Sequence, residues 1–112
     1  MNRGDVWRLD LGGRIGRRPV IIVTRQNVLR YVNKVVVAEI TTKGKGYPTE
    51  IDIGQKANLP KHSFIQADNL HTIPKGRFEK YVGTLDRDVM REVSRKIVLA
   101  LELESSLREV QG

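Results

Sequence analysis

Gly12-Gly13-Arg14-Ile15-Gly16-Arg17-Arg18-Pro19-Val20-Ile21-Ile22-Val23-Thr24 is a loop that becomes a strand. Its first half holds three glycines and three arginines, and its second half is an apolar, β-branched run with the composition of a buried strand. Pro19 is tolerated at the first position of such a strand, and it biases Arg18 before it toward extended backbone. One guanidinium is therefore held on a stiff support beside a mobile loop of further cations, an arrangement suited to a phosphate.

Outward from this stretch the pattern stays β for most of the chain. Before it, Asp5–Leu11 alternates, with Trp7, Leu9 and Leu11 on one side and Val6, Arg8 and Asp10 on the other, the period of a half-buried strand. After it, Arg25–Asn33 is polar and reads as a loop with room for a short helical turn. Lys34–Ile40 carries four β-branched residues and reads as a third strand running into Thr41-Thr42. Lys43-Gly44-Lys45-Gly46 then interrupts as a second basic, glycine-rich loop. Thr49–Ile53 alternates again, Gly54–His62 connects, and Ser63–Ala67 and Leu70–Ile73 read as two short strands. Arg77–Val82 reads as a last strand or an irregular edge.

From Leu85 the period changes. Val89, Val93, Ile97, Ala100 and Leu101 recur at helical spacing, Asp86 suits the N-cap, and Asp88 suits the first turn. The pattern predicts one helix from Asp86 to about Leu107, roughly 30 Å long, with fraying from Arg108 to Gly112. Many short strands followed by one helix predict a mainly β fold: a small, strongly twisted barrel-like sheet with a C-terminal α-helix packed on it. The whole chain, 1–112, is read as one domain.

Composition narrows the function. Twenty Lys and Arg against thirteen Asp and Glu give a net charge of +7, which favours a polyanionic partner, either nucleic acid or an acidic protein segment. The chain has no cysteine, which removes disulfides and thiolate metal sites from consideration. No signal peptide or membrane-spanning run is legible, and a cytoplasmic location is expected. No P-loop, dinucleotide fingerprint, G-x-S-x-G elbow or zincin histidine pair is present. No metal and no cofactor are expected.

RNA cleavage needs none of these. The ribose 2′-hydroxyl is an internal nucleophile, so proximity comes with the substrate, and the remaining work is electrostatic and hydrogen-bonding. Arg18 offers a planar, permanently charged fork for a phosphate; read alone, it is equally a surface arginine at a strand start. Thr41 has a hydroxyl to donate to a phosphoryl oxygen, although threonine is at home in strands without any such role. His71 is a residue type suited to acid or base work near neutral pH and also reads as a plain strand histidine. Arg14, Arg17, Lys43 and Lys45 suit backbone phosphates, and Tyr47 suits base stacking, while Trp7 reads as core.

Arg3-Gly4-Asp5-Val6-Trp7, Arg18-Pro19-Val20-Ile21-Ile22 and Val37-Ala38-Glu39-Ile40-Thr41 resemble, in order and spacing, the MazF/PemK family of toxin endoribonucleases. Tyr47-Pro48-Thr49, Leu59-Pro60-Lys61-His62-Ser63, Thr72-Ile73, Lys75 and Val82-Gly83-Thr84-Leu85-Asp86 extend the resemblance. It implies an SH3-like barrel of the MazF/PemK/CcdB type, usually a homodimer. It also implies sequence-specific, metal-independent cleavage of single-stranded RNA to 2′,3′-cyclic phosphate and 5′-hydroxyl ends. A cognate antitoxin with an acidic tail that fills the RNA groove is implied as a partner. The family's catalytic arginine and threonine map onto Arg18 and Thr41, and the expected RNA-binding residues are Arg14, Arg17, Lys43, Lys45, Tyr47, His71 and Lys75. The chain departs from the family pattern in a shorter loop before Arg18, in His71 where arginine is usual and in Pro74 where aspartate is usual. Two rival readings stand beside this one: a CcdB-like toxin that binds gyrase, and a non-catalytic nucleic-acid-binding barrel.

Overall fold

The computed structural model describes residues 1–111; Gly112 lies outside the described residues. Six strands, β1 (Asp5–Asp10), β2 (Arg17–Ile22), β3 (Lys34–Thr41), β4 (Glu50–Gly54), β5 (Ser63–Pro74) and β6 (Lys80–Thr84), form one curled sheet in the order β4-β5-β3-β2-β1-β6. Every neighbouring pair is antiparallel. Two helices follow, α1 (Arg87–Ala100) and α2 (Glu104–Gln111). Among the described residues no helix is long and apolar enough to cross a membrane.

Both faces of the sheet bury apolar side chains, as the β-branched runs anticipate. Val6, Ile21, Ala38, Ile40, Ile51, Ile53, Ile65 and Ala67 cluster on one face, closed by Leu85, Met90 and Val93 from the start of α1 and the turn before it. Leu9, Val20, Ile22, Val35, Val37 and Ile73 cluster on the other, under Leu29, with Trp7, Leu11, Val32 and Phe78 packed around them. The alternation read in β1 is therefore real, with Trp7, Leu9 and Leu11 on one core and Val6 on the other.

Two expectations are corrected. The strands expected at Ser63–Ala67 and Leu70–Ile73 are one long strand, β5. Its register against β3 jumps from Leu70 opposite Ala38 to Gln66 opposite Glu39, so Ala67, Asp68 and Asn69 stand out of that ladder as a bulge. The Asn69 side chain donates to Gln66 Oε1 across the bulge at 2.9 Å. A polar run that reads as a strand break is thus a kink inside one strand.

The single helix expected to about Leu107 is two helices. Asp86 does cap α1, its carboxylate accepting the Val89 N–H at 2.9 Å. The helix then closes with the Glu102 N–H on Leu99 O (3.2 Å) and the Leu103 N–H on Val98 O (2.9 Å). Glu102 sits at φ 55. This is the paired hydrogen-bond pattern of a Schellman motif, with a glutamate where glycine is usual, which is why the sequence shows no breaker. Beyond it α2 stays helical to Gln111 rather than fraying from Arg108.

The sheet is not closed by strand pairing: β4 and β6 are its two edges. The connection 55–62 spans the gap instead. The Asn58 side chain donates to the Val82 carbonyl at 3.1 Å. Ala57 (φ 54) and Asn58 (φ 62) are successive non-glycine residues in left-handed backbone, a strained conformation for alanine. Against them lies Gly83 of β6, where a Cβ would come within 2.4 Å of the Ala57 carbonyl oxygen. Only glycine permits this approach, and it sets the position of the connection over the end of the barrel.

Candidate active site

At that end a cleft of about 390 Å³ opens between the start of β2, the end of β3 and the connection into β5. Arg17, Arg18 and Pro19 form one wall, with Ile15 above them, and Thr41 and Thr42 form the other. Leu59, Pro60 and Lys61 make the rim, and Arg8 reaches it from β1. Four cations line the cleft, Arg8, Arg17, Arg18 and Lys61, and no carboxylate does.

Sheet register brings Arg18 and Thr41 together. The β2–β3 ladder ends with Val20 facing Glu39, and Arg18 and Thr41 lie two residues beyond that pair on their own strands, where both line the cleft. Arg18 pairs with Leu9 of β1, which fixes its backbone from that side. Its Nε donates to the Ile15 carbonyl at 3.3 Å; among the described residues its terminal amino groups have no partner. This hydrogen bond aims the fork and leaves its outer edge for a ligand.

Thr41 is buried, and its Oγ1 accepts the Lys43 N–H at 3.1 Å. With one lone pair held by the backbone, the hydroxyl proton is left to donate. A guanidinium and an oriented hydroxyl facing each other match the non-bridging oxygens of one phosphodiester.

The other residues expected at the site divide. Arg17 lines the cleft but holds Glu79 in a two-point contact, Nε to Oε1 at 3.1 Å and Nη2 to Oε2 at 3.3 Å. That hydrogen bond and the charge of Glu79 keep its guanidinium even more firmly protonated. Arg14 is exposed on the 11–16 loop, which closes on itself through Leu11 N–H to Gly16 O at 3.0 Å.

Lys43, Lys45 and Tyr47 lie on the second basic loop, outside the lining of the Arg18 cleft. Gly44, Gly46 and Tyr47 line a separate hollow with Phe64, Glu50 and Asp52. The Glu50 carboxylate accepts the backbone N–H groups of Lys45 (2.9 Å) and Gly46 (2.8 Å) and so ties this loop down. Those hydrogen bonds, the one from Lys45 foremost, hold Glu50 below the usual carboxylate value.

His71 and Lys75 are engaged within the fold. Lys75 Nζ donates to the Leu29 carbonyl. His71 Nε2 meets Glu39 Oε2 at 2.7 Å.

Three further residues belong to the site region although their sequence signals are weak. Glu39 is buried on the sheet face shared with Thr41 and is paired by His71. Its signal is a carboxylate inside an apolar β-branched run. Lys61, in the Leu59–Ser63 motif, carries no local signal beyond its charge. Arg8 shares the core-facing parity of Val6 in β1, so a charge there is itself an indication of a polar recess.

A curled β half-barrel whose arginine and threonine converge in a cleft lined by cations defines a small protein built to take a phosphate-bearing polymer. The chain belongs to the PemK-like, MazF-like toxins of type II toxin-antitoxin systems, the family whose model matches residues 2–101. Endoribonuclease MazF4 of Mycobacterium tuberculosis is 31% identical over 101 residues, covering 90% of this chain and 92% of its own. Probable endoribonuclease MazF2 of the same species is 29% identical over 98 residues, covering 87% and 94%. A mycobacterial endoribonuclease solved in complex with its cognate antitoxin superimposes with a TM-score of 0.82 at 30% identity, covering 92% of this chain and 96% of that one. The Mycobacterium tuberculosis toxin MazF-mt6 gives a TM-score of 0.81 at 29% identity, covering 89% and 98%. The mainly β fold with a C-terminal helix is thus the fold of these relatives.

Proposed function

We propose that this chain is the toxin of a type II toxin-antitoxin system and acts as a metal-independent endoribonuclease on single-stranded RNA. The observation that carries this reading is the facing pair of Arg18 and Thr41 in a cleft with four lining cations and no lining carboxylate. A scissile phosphate seated there receives two guanidinium N–H groups from Arg18 and the hydroxyl proton of Thr41. The neighbouring ribose 2′-oxygen attacks phosphorus, its proton passes to water, and charge accumulates on the non-bridging oxygens. Preorganised donors placed where that charge develops lower the barrier most. The 5′-oxygen departs with a proton, leaving a 2′,3′-cyclic phosphate on one fragment and a 5′-hydroxyl on the other. Water supplies the proton that the 5′-oxygen takes, and the work of Arg18 is charge stabilisation through its fixed N–H donors.

The partners follow from the same surface. The net charge of +7 suits both RNA and the acidic tail of a cognate antitoxin, and the relative solved with its antitoxin supports such a complex. The protein works as a homodimer in the cytoplasm, where cleavage at a short sequence in cellular RNA inhibits translation and growth.

The test is cleavage of a long single-stranded RNA in EDTA with mapping of the ends. Discrete cuts with 5′-hydroxyl ends are expected. Arg18→Ala should lower the rate by about 10²–10³, the loss typical of one removed oxyanion donor, and Thr41→Val should do likewise while both variants still bind RNA. Binding without cutting by the unmodified protein would overturn the nuclease reading.

A further inference from the structure

Arg8 and Lys80 are directly opposite each other in the β1–β6 pair. Like charges in that position destabilise a sheet. Neither makes an ion pair among the described residues, and Glu79, the acid next to Lys80, is taken by Arg17. Arg8 is half-buried, so its guanidinium has lost part of its hydration without gaining a counter-charge. Such an arrangement is stable with an anion between the two cations.

A recess is present there. A hollow of about 330 Å³ is lined by Arg8, Asn58, Leu59, Pro60, Lys80 and Tyr81. It shares Arg8, Leu59 and Pro60 with the Arg18 cleft, so the two adjoin with Arg8 between them. Tyr81 is 49% exposed. Its ring is braced edge-on by Trp7, with centroids 5.8 Å apart, and its hydroxyl bonds Thr84 Oγ1 at 2.6 Å. Two unpaired cations at one recess are the combination that holds a backbone phosphate of a single strand.

We propose that Arg8 and Lys80 form a second phosphate subsite, which takes an RNA phosphodiester flanking the one held by Arg18 and Thr41. This rests on the RNA-cleaving function proposed above. The subsite makes the strand run across β1 toward β6 as it leaves the cleft, and it favours longer strands over short ones.

Binding of fluorescent 2′-O-methyl oligouridylates, which cannot be cleaved, tests this on the full chain by anisotropy. A trinucleotide and a heptanucleotide are compared, each across a salt titration. The unmodified protein should bind the heptanucleotide more tightly. Arg8→Ala/Lys80→Ala should lose about tenfold in affinity for the heptanucleotide, as expected for charged hydrogen bonds, and little for the trinucleotide. Its salt slope should fall by about 0.7 for each phosphate that is no longer neutralised. Its thermal stability should hold or rise, because a like-charge pair has been relieved. The charge-matched control Arg91→Ala/Arg95→Ala on α1 should leave the length dependence intact.

Equal losses in both double variants would reduce the effect to net charge and overturn the subsite, as would an unchanged heptanucleotide affinity in the β1–β6 variant. Full displacement of the Arg8-dependent binding by inorganic phosphate or uridine monophosphate would assign the recess to a free phosphate ligand instead. Cleavage without an Arg8-dependent gain in length would sink the subsite alone. Such a gain without cleavage would sink only the nuclease reading, and no binding of either oligonucleotide would sink both.

Discussion

Replacing Gly83 by alanine tests how the barrel positions its cleft. A Cβ there would lie 2.4 Å from the Ala57 carbonyl oxygen, 2.7 Å from its carbonyl carbon and 2.9 Å from its Cα. Ordinary contact begins at 3.4 Å, so the connection must retreat by about 1 Å. It cannot retreat freely, because backbone is the obstacle and Asn58 is tethered to the Val82 carbonyl. Overpacking of this kind costs about 3 kcal/mol, a fall of roughly 10 °C in melting temperature for a domain of this size. The same displacement carries Leu59, Pro60 and Lys61, the rim of the cleft, away from Arg18. A misplacement of that size typically lowers a rate by about 10². Thermal melting and RNA cleavage well below the transition read the two effects separately. Asn58→Gly, which keeps the left-handed backbone but removes the tether, should show the activity loss in milder form. Gly76→Ala is the control, since nothing lies within 4 Å of its added carbon. A Gly83→Ala protein with unchanged melting and unchanged cleavage would refute the assignment of the connection as the element that sets the cleft.

Other outcomes follow from the polar groups. His71→Leu leaves the buried Glu39 carboxylate without its 2.7 Å partner and should cost about 1–3 kcal/mol, whereas Glu39→Leu/His71→Leu should recover most of that loss; additive losses in a denaturant series would show that the two do not act as a pair. Glu50 titrates below the ordinary value of 4.5 when the loop is folded, so its hold on the Lys45 and Gly46 amides is fully present above that value and lost as pH falls through the lowered one. Protection of the Lys45 and Gly46 amides, taken relative to intrinsic exchange at each pH, should therefore fall on acidification, and Glu50→Gln should abolish that change. Equal exchange in both proteins across that range would count against the tether.

Much of the architecture is legible in the sequence because apolar periodicity is a direct record of burial. The Val20-Ile21-Ile22 run feeds both cores and Val35 and Val37 feed one of them, and the Asp86 cap marks the start of α1 within a residue. What is not legible depends on contacts distant in sequence or on exceptions to residue preference. Glu102 adopts left-handed backbone that favours glycine, so the break after α1 leaves no trace. Asp68 and Asn69 read as a gap because a bulge and a turn share the same polar composition. For the site, Arg18 and Thr41 can be named from residue chemistry and family resemblance, yet their convergence is a property of the β2–β3 register. Arg8 and Lys61 are invisible as cleft residues because strand β1 and the 55–62 connection meet only through the curl of the sheet.

The strand order has a consequence for how the molecule comes into being. β1 lies between β2 and β6, so the first strand made must wait for the last. Asp5 is opposite Thr84 and accepts its hydroxyl proton at 2.8 Å, and the Arg3 side chain donates to Ser94 at 2.9 Å. Contacts of such sequence separation make folding slow, on the order of milliseconds to seconds, and place its completion late in synthesis. A nascent chain stalled before Lys80 has Arg18 and Thr41 already in hand, but lacks the strand against which Ala57 and Asn58 settle. The cleft is therefore assembled only once β6 has been made, well after Arg18 and Thr41.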